Sequence, residues 1–127
     1  MLARSHRERG QDLVEYAVIL PILMLLLIGI LEFAIIVFSY NTIGDAAREG
    51  ARYGVIHPGN AAGISTAARR LTTGLNPAWL TVTPSRPEVK VIRVEVTYDA
   101  HLVTGLIAGI LGQPTMLLRA VATMQIE

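Results

Sequence analysis

The sequence predicts an α+β protein: one long N-terminal transmembrane helix, then a short helix and a small three-stranded antiparallel sheet. Three observations carry that prediction. From Tyr16 to Gly44 the only charged residue is Glu32, and Ala17–Leu31 is wholly apolar. After residue 60 a short helical periodicity follows, and from Trp79 onward apolar residues alternate in segments rich in valine and threonine. The rest of the composition fits one small unit of 127 residues, 52% hydrophobic and 17% charged, with a mean hydropathy of +0.48. Eleven Lys+Arg against 10 Asp+Glu leave no electrostatic footprint for nucleic acid. With no cysteine, disulfides, thiolate metal sites and cysteine nucleophiles are excluded.

The first element follows from the length of the apolar run. About 20 apolar residues cross the ~30 Å hydrocarbon core as one helix. A cleaved secretory signal has a shorter apolar region and a small-residue cleavage site. Here the run continues through Phe33–Phe38 and no A-x-A pattern follows, so a spanning helix is expected over about residues 16–40, inside a hydrophobic helix covering 11–54. Before the span lie Arg4, Arg7 and Arg9 against Glu8, while beyond it Asp45, Arg48, Glu49 and Arg52 cancel. This bias puts the N-terminus in the cytoplasm and residues 55–127 outside as an extracytoplasmic α+β domain. Pro21 removes a backbone donor within the span, which predicts a kink or a locally melted turn.

Two acidic residues do not suit a plain anchor. An acidic group at the centre of a membrane helix costs roughly 2.5–3.5 kcal/mol, so such groups face a partner or a cavity. Glu32, deep in the run, is expected to face protein as an intramembrane carboxylate. Glu15, at the cytoplasmic edge, is either solvated or paired.

Beyond the span, Ile43, Ala46, Ala47, Gly50, Ala51 and Gly54 recur at helical spacing and form a stripe of small residues expected to pack on the chain's own sheet. Arg48, Glu49 and Arg52 cover the other faces, either as exposed pairs or as candidate subunit contacts. His57-Pro58-Gly59-Asn60 breaks the helix, with Asn60 as N-cap of a second helix. Ile64, Ala68, Leu71 and Leu75 mark its apolar face, Arg69 and Arg70 its outer face, and Gly74 its stop. Trp79–Pro84 reads as a strand. Glu88–Tyr98 reads as another, with Val89 and Val91 in phase only across a slip near Ile92 that suggests a bulge. Thr115–Ile126 is the last strand. Between the last two lies the apolar segment His101–Gly112, containing Gly105-x-x-x-Gly109 but too short to cross a bilayer. Two readings of it stand: a short helix or loop folded over the sheet, or an exposed apolar surface that docks on a partner subunit.

Catalytic motifs are missing from the sequence. His6, His57 and His101 lack metal-ligand spacing, and there is no G-x-S-x-G, phosphate-binding glycine loop or H-E-x-x-H. Asp99 lies two residues from His101, a spacing more typical of a turn than of a dyad. The expectation is a protein with no enzymatic activity, cofactor, metal or small-molecule substrate.

The segment before the span is the most informative. A short basic leader, Met1–Gly10, ends in glycine, and Glu15-Tyr16 follow at the head of the apolar helix. This resembles the processing site of type IV pilins and pseudopilins, and Glu15-Tyr16 look like the Flp/Tad subclass. Arg9-Gly10-Gln11, Val14–Ala17, Leu20-Pro21, Glu32-Phe33 and Ala46–Tyr53 together resemble the TadE-like pilus-assembly family over about residues 9–54. The resemblance implies that a prepilin peptidase cuts between Gly10 and Gln11. That cut removes the 1–10 leader and leaves 8 basic and 9 acidic residues. It further implies that Glu15, beside Tyr16, pairs with the terminal amine of a neighbouring subunit. The expected setting is the bacterial inner membrane, with membrane lipid, an assembly platform and other pilin-like subunits as partners, and a surface pilus that serves cell adhesion as the product. Two alternatives remain open: a pseudopilin of a related secretion or DNA-uptake machine, or a single-pass membrane-anchored extracytoplasmic binding protein with an intact N-terminus.

Overall fold

The computed structural model describes the backbone from Ala3 to Glu127 and side chains from Gly10 onward. Met1, Leu2 and the leader side chains of Arg4, Arg7 and Arg9 lie outside the described residues. The chain folds in the order α1 (Ala3–Ile56), α2 (Ala61–Arg70), a 3₁₀ turn (Pro77–Trp79), β1 (Leu80–Glu88), β2 (Val91–His101), α3 (Gly105–Leu111) and β3 (Thr115–Gln125). The expected α+β class is observed. α1 is helical throughout, including at Pro21, so the locally melted turn that proline allowed does not occur in this state.

The three strands form one antiparallel sheet in the order β1-β2-β3, with Leu80 opposite Tyr98 and Val91 opposite Gln125. Along β2, Ile92, Val94, Val96, Tyr98 and Ala100 are all buried, an unbroken alternation. The slip expected near Ile92 is therefore a correction. Residues 88–91 are not one strand with a bulge but the end of β1, a two-residue turn at Val89-Lys90 and the start of β2. The irregularity lies in β1, where the register shifts between Ser85 and Glu88.

α2 starts as the sequence predicts, with the Asn60 Oδ1 accepting from the Gly63 N–H at 2.8 Å. It ends earlier than predicted, at Arg70 rather than near Gly74. There the Leu71 N–H donates to the Ala68 carbonyl at 3.2 Å and the Thr72 N–H to the Arg69 carbonyl at 3.3 Å, a tightened last turn, and the Thr72 hydroxyl also donates to the Arg69 carbonyl at 2.8 Å. Ile64 and Ala68 are buried as expected, whereas Leu71 caps the helix and is exposed. Gly74 belongs to the following turn, where its φ of +91° favours glycine. Trp79 closes the 3₁₀ turn instead of opening β1.

The core forms where α1 lies against the sheet and α2. Ile43, Ala46, Ala47 and Ala51 meet Ile64, Ala68, Ile92, Val94, Val96 and Leu118. The small-residue stripe thus packs within the chain. Its glycines set the distance: a Cβ at Gly54 would come 2.8 Å from Ile92 Cγ2, and one at Gly50 3.1 Å from Val94 Cγ1. By contrast, a Cβ at Gly44 would meet nothing within 4 Å.

Substitution should separate these cases. Gly54→Ala is expected to destabilise the domain by about 1–3 kcal/mol through overpacking against a buried isoleucine. Gly44→Ala should be neutral or stabilise by about 0.5–1 kcal/mol, because it only removes glycine's excess freedom from a helix. Thermal unfolding of the two variants in one detergent checks both signs.

Candidate membrane anchor and assembly surface

The two halves of α1 have different surroundings. One face of its second half enters the core, through Glu32, Ile36, Ser39, Ile43, Ala46, Ala47, Gly50 and Ala51, spaced mainly three and four residues apart. The first half is bare. Leu13 to Leu27 presents leucine, isoleucine, valine and methionine outward, and only 6% of the most apolar 18-residue window is buried. A core helix of a soluble protein would be mostly buried, so this surface has no partner among the described residues. Its length and composition suit a single membrane span.

Glu32 sits near the end of that apolar run and is 3% exposed. Its carboxylate accepts two hydrogen bonds from Thr104, one from the backbone N–H at 3.1 Å and one from the hydroxyl. Thr104 is the residue before α3. Glu32 thus faces protein, and its partner comes from 72 positions away in the same chain. Sequence reasoning missed Thr104. The available signal was only that an acid in an apolar run requires a donor, which does not say where the donor comes from.

Glu15 and Tyr16 stand in another environment. Both are exposed on α1 with Asp12 and Ile19, around a shallow hollow, and Glu15 has no ion-pair partner among the described residues. Gly10 and Gln11 are exposed on the same helix. Arg48 pairs with Asp45 at 3.1 Å, an exposed i,i+3 contact worth a few tenths of a kcal/mol. Glu49 and Arg52 line an open groove of about 400 Å³ together with Thr42, Leu71 and Met124.

His57 and His101 are held by stacking. His57 lies on Tyr53 with ring centroids 4.6 Å apart, and His101 on Trp79 at 3.6 Å. His101 Nδ1 lies 3.0 Å from the backbone carbonyl of Asp99, so the proton on Nδ1 is donated to main chain and not to a carboxylate. That contact makes a turn, as the spacing implied. The segment His101–Gly112 does contain a short helix, α3, in which Leu106, Ile107 and Ala108 are half-buried, and Thr104 just before it contacts Glu32 of α1.

Residues 10–52 match the family model described as TadE-like protein. The match falls on α1 and on the motifs that carry the resemblance in sequence. Over that segment the chain is similar to proteins of Tad pilus systems, and the matched helix is long and apolar enough to cross a membrane. No curated protein and no solved structure matches the chain.

The Glu32–Thr104 contact has a direct readout. Hydrogen bonds to a charged group contribute about 1.5–3 kcal/mol. Glu32→Ala should therefore speed exchange of the Thr104 amide by roughly tenfold to a hundredfold. The Ile92 and Val94 amides, in the sheet core, should exchange at unchanged rates. Hydrogen exchange followed by mass spectrometry of the full chain in micelles checks this.

Proposed function

We propose that this chain is a pilin-like (pseudopilin) structural subunit of a Tad-type pilus system. It is made as a precursor in the bacterial inner membrane, with its N-terminus in the cytoplasm and its α+β domain outside. A prepilin peptidase cuts after Gly10, and the mature chain enters or primes a surface filament. The observation that carries the reading is the TadE-like match over residues 10–52, falling on a helix whose first half finds no cover among the described residues. A bare apolar helix suits both situations a pilin meets: lipid before assembly, and the helices of other subunits after it. No enzymatic step is needed from the chain, and its role is structural.

The polar groups at the head of the helix support the same reading. Cleavage would create an amine on Gln11, four residues from the exposed Glu15. As helices leave the bilayer, Glu15 would pair with the amine of a neighbouring subunit. A carboxylate left unpaired in that apolar setting is costly, so the pair favours one axial register over others. The worth of such a pair lies in specificity and does not require a large net stabilisation.

Intact-mass and N-terminal analysis of the native protein, in cells with and without the prepilin peptidase, tests the pathway. The expected mature chain begins at Gln11 only when the peptidase is present, and Gly10→Ala keeps the leader attached. A chain that begins at Met1 in both strains would overturn the proposal and leave a membrane-anchored binding protein. Glu15→Ala should still be processed and still sit in the membrane, yet surface filaments counted by electron microscopy should fall sharply.

A further inference from the structure

The apolar segment between β2 and β3 is unlike the rest of the α+β domain. From Ala100 to Leu118 there is no Lys, Arg, Asp or Glu. Val103 is 77% exposed and Ile110 79%, and Leu111 is also open. Exposure of this kind on a domain surface calls for a partner. The position of the segment identifies which one. Thr104 is held to Glu32 by two hydrogen bonds, so this segment lies where Glu32 lies. On the span of about residues 16–40, Glu32 lies eight residues from the outer end, about 12 Å along the helix at 1.5 Å per residue, and so within the hydrocarbon.

We propose that residues 102–112 are embedded in the membrane leaflet nearest the α+β domain, as a second membrane contact beside α1. The occupant of this surface is lipid. Phe33, Ile35 and Val37 of α1 are exposed at the same level, so the open side chains of the α3 segment extend an apolar surface that already faces the bilayer. The backbone is suited to that depth. Seven residues are helical, and the Leu102 N–H donates to the Pro114 carbonyl at 3.2 Å, closing the loop at its neck. The segment is too short to cross, so it enters and leaves on one side. Glu32 then has two roles: it is shielded from lipid, and it fixes the depth of the loop.

The inference rests on α1 spanning the membrane and is independent of processing or filament assembly. The chain has no cysteine, so single-cysteine variants report unambiguously. Leu26→Cys, Ile110→Cys and Val89→Cys of the full chain, in phosphatidylcholine–phosphatidylglycerol vesicles, are each labelled with a fluorophore and exposed to lipid-borne and water-soluble quenchers. Val89 lies in the far turn of the sheet and is 84% exposed. Lipid-borne quencher is expected to act at positions 26 and 110 and not at 89. Reaction of the free thiol with a water-soluble maleimide should be about tenfold slower at 110 than at 89, the ratio that burying one large aliphatic side chain supports. A probe at 110 that behaves like 89, while 26 reports lipid, would overturn the proposal and leave the span intact. Protection of 110 from both quenchers, growing with protein-to-lipid ratio, would overturn it in favour of a second copy of the chain. A probe at 26 that reports water would remove the span and the proposal with it.

Discussion

The close approach of α1 to the sheet sets the rest of the architecture. Gly54 lies over Ile92 and Gly50 over Val94, at distances that leave no room for a larger residue without displacement. Since helix numbers fall as strand numbers rise, β2 runs antiparallel to α1 and toward the apolar end of the helix. From Gly54 to Glu32 the helix covers about 33 Å. From Ile92 to Thr104 a fully extended chain would cover about 40 Å, so the strand and its exit loop reach Glu32 with little slack. The connection between β2 and β3 therefore arrives at the level of the membrane-capable segment as a result of helix–sheet packing.

That placement explains how an acid is accommodated in an apolar run. A carboxylate in such a run needs donors, and neighbouring helical residues have already committed their N–H groups to the ladder of α1. The donors must come from another element. Thr104 supplies an N–H that α3 leaves free at its start, together with a hydroxyl from the same residue. The contact joins the end of the α+β domain to the anchor and so fixes the domain against α1 at both ends. Removing Glu32 would loosen only the lower attachment, because the Ala/Gly stripe holds the upper one.

The sequence was most readable where one physical signal acted alone. The long helix, the inward stripe from Ile43 to Gly54, the Asn60 cap and the alternation of Val94, Val96 and Tyr98 are each produced by a local pattern, and each is observed. Errors occurred where structure overrode the usual punctuation. A two-residue hairpin turn is ordinarily marked by Asn or Gly at positive φ. Val89-Lys90 turns without positive φ, and an unprimed turn splays the strands it joins. The register shift between Ser85 and Glu88 absorbs that misfit, and the Arg86 guanidinium donates to the Val89 carbonyl at 2.9 Å across the turn. Gly74 was likewise an obvious stop, but α2 ends at Arg70, where the backbone tightens into i→i+3 bonds. Thr104 was not legible at all, since its role depends on a fold that brings it back across 72 positions.

The two acidic residues of the anchor helix have different fates, and that difference bears on assembly. Glu32 already has its donors from within the chain and is shielded by the domain, so it has nothing to offer a neighbour unless α3 leaves. Glu15 is exposed on the bare half of α1, with no domain beside it. If both were needed to satisfy neighbours, every subunit would have to meet two buried-charge conditions at once while leaving the bilayer. In the proposed assembly, with Glu32 satisfied internally, one intersubunit pairing would remain, at the end of the helix where cleavage would create the amine. Axial register would then depend on that single contact, and the domain would travel with its helix as one preassembled unit.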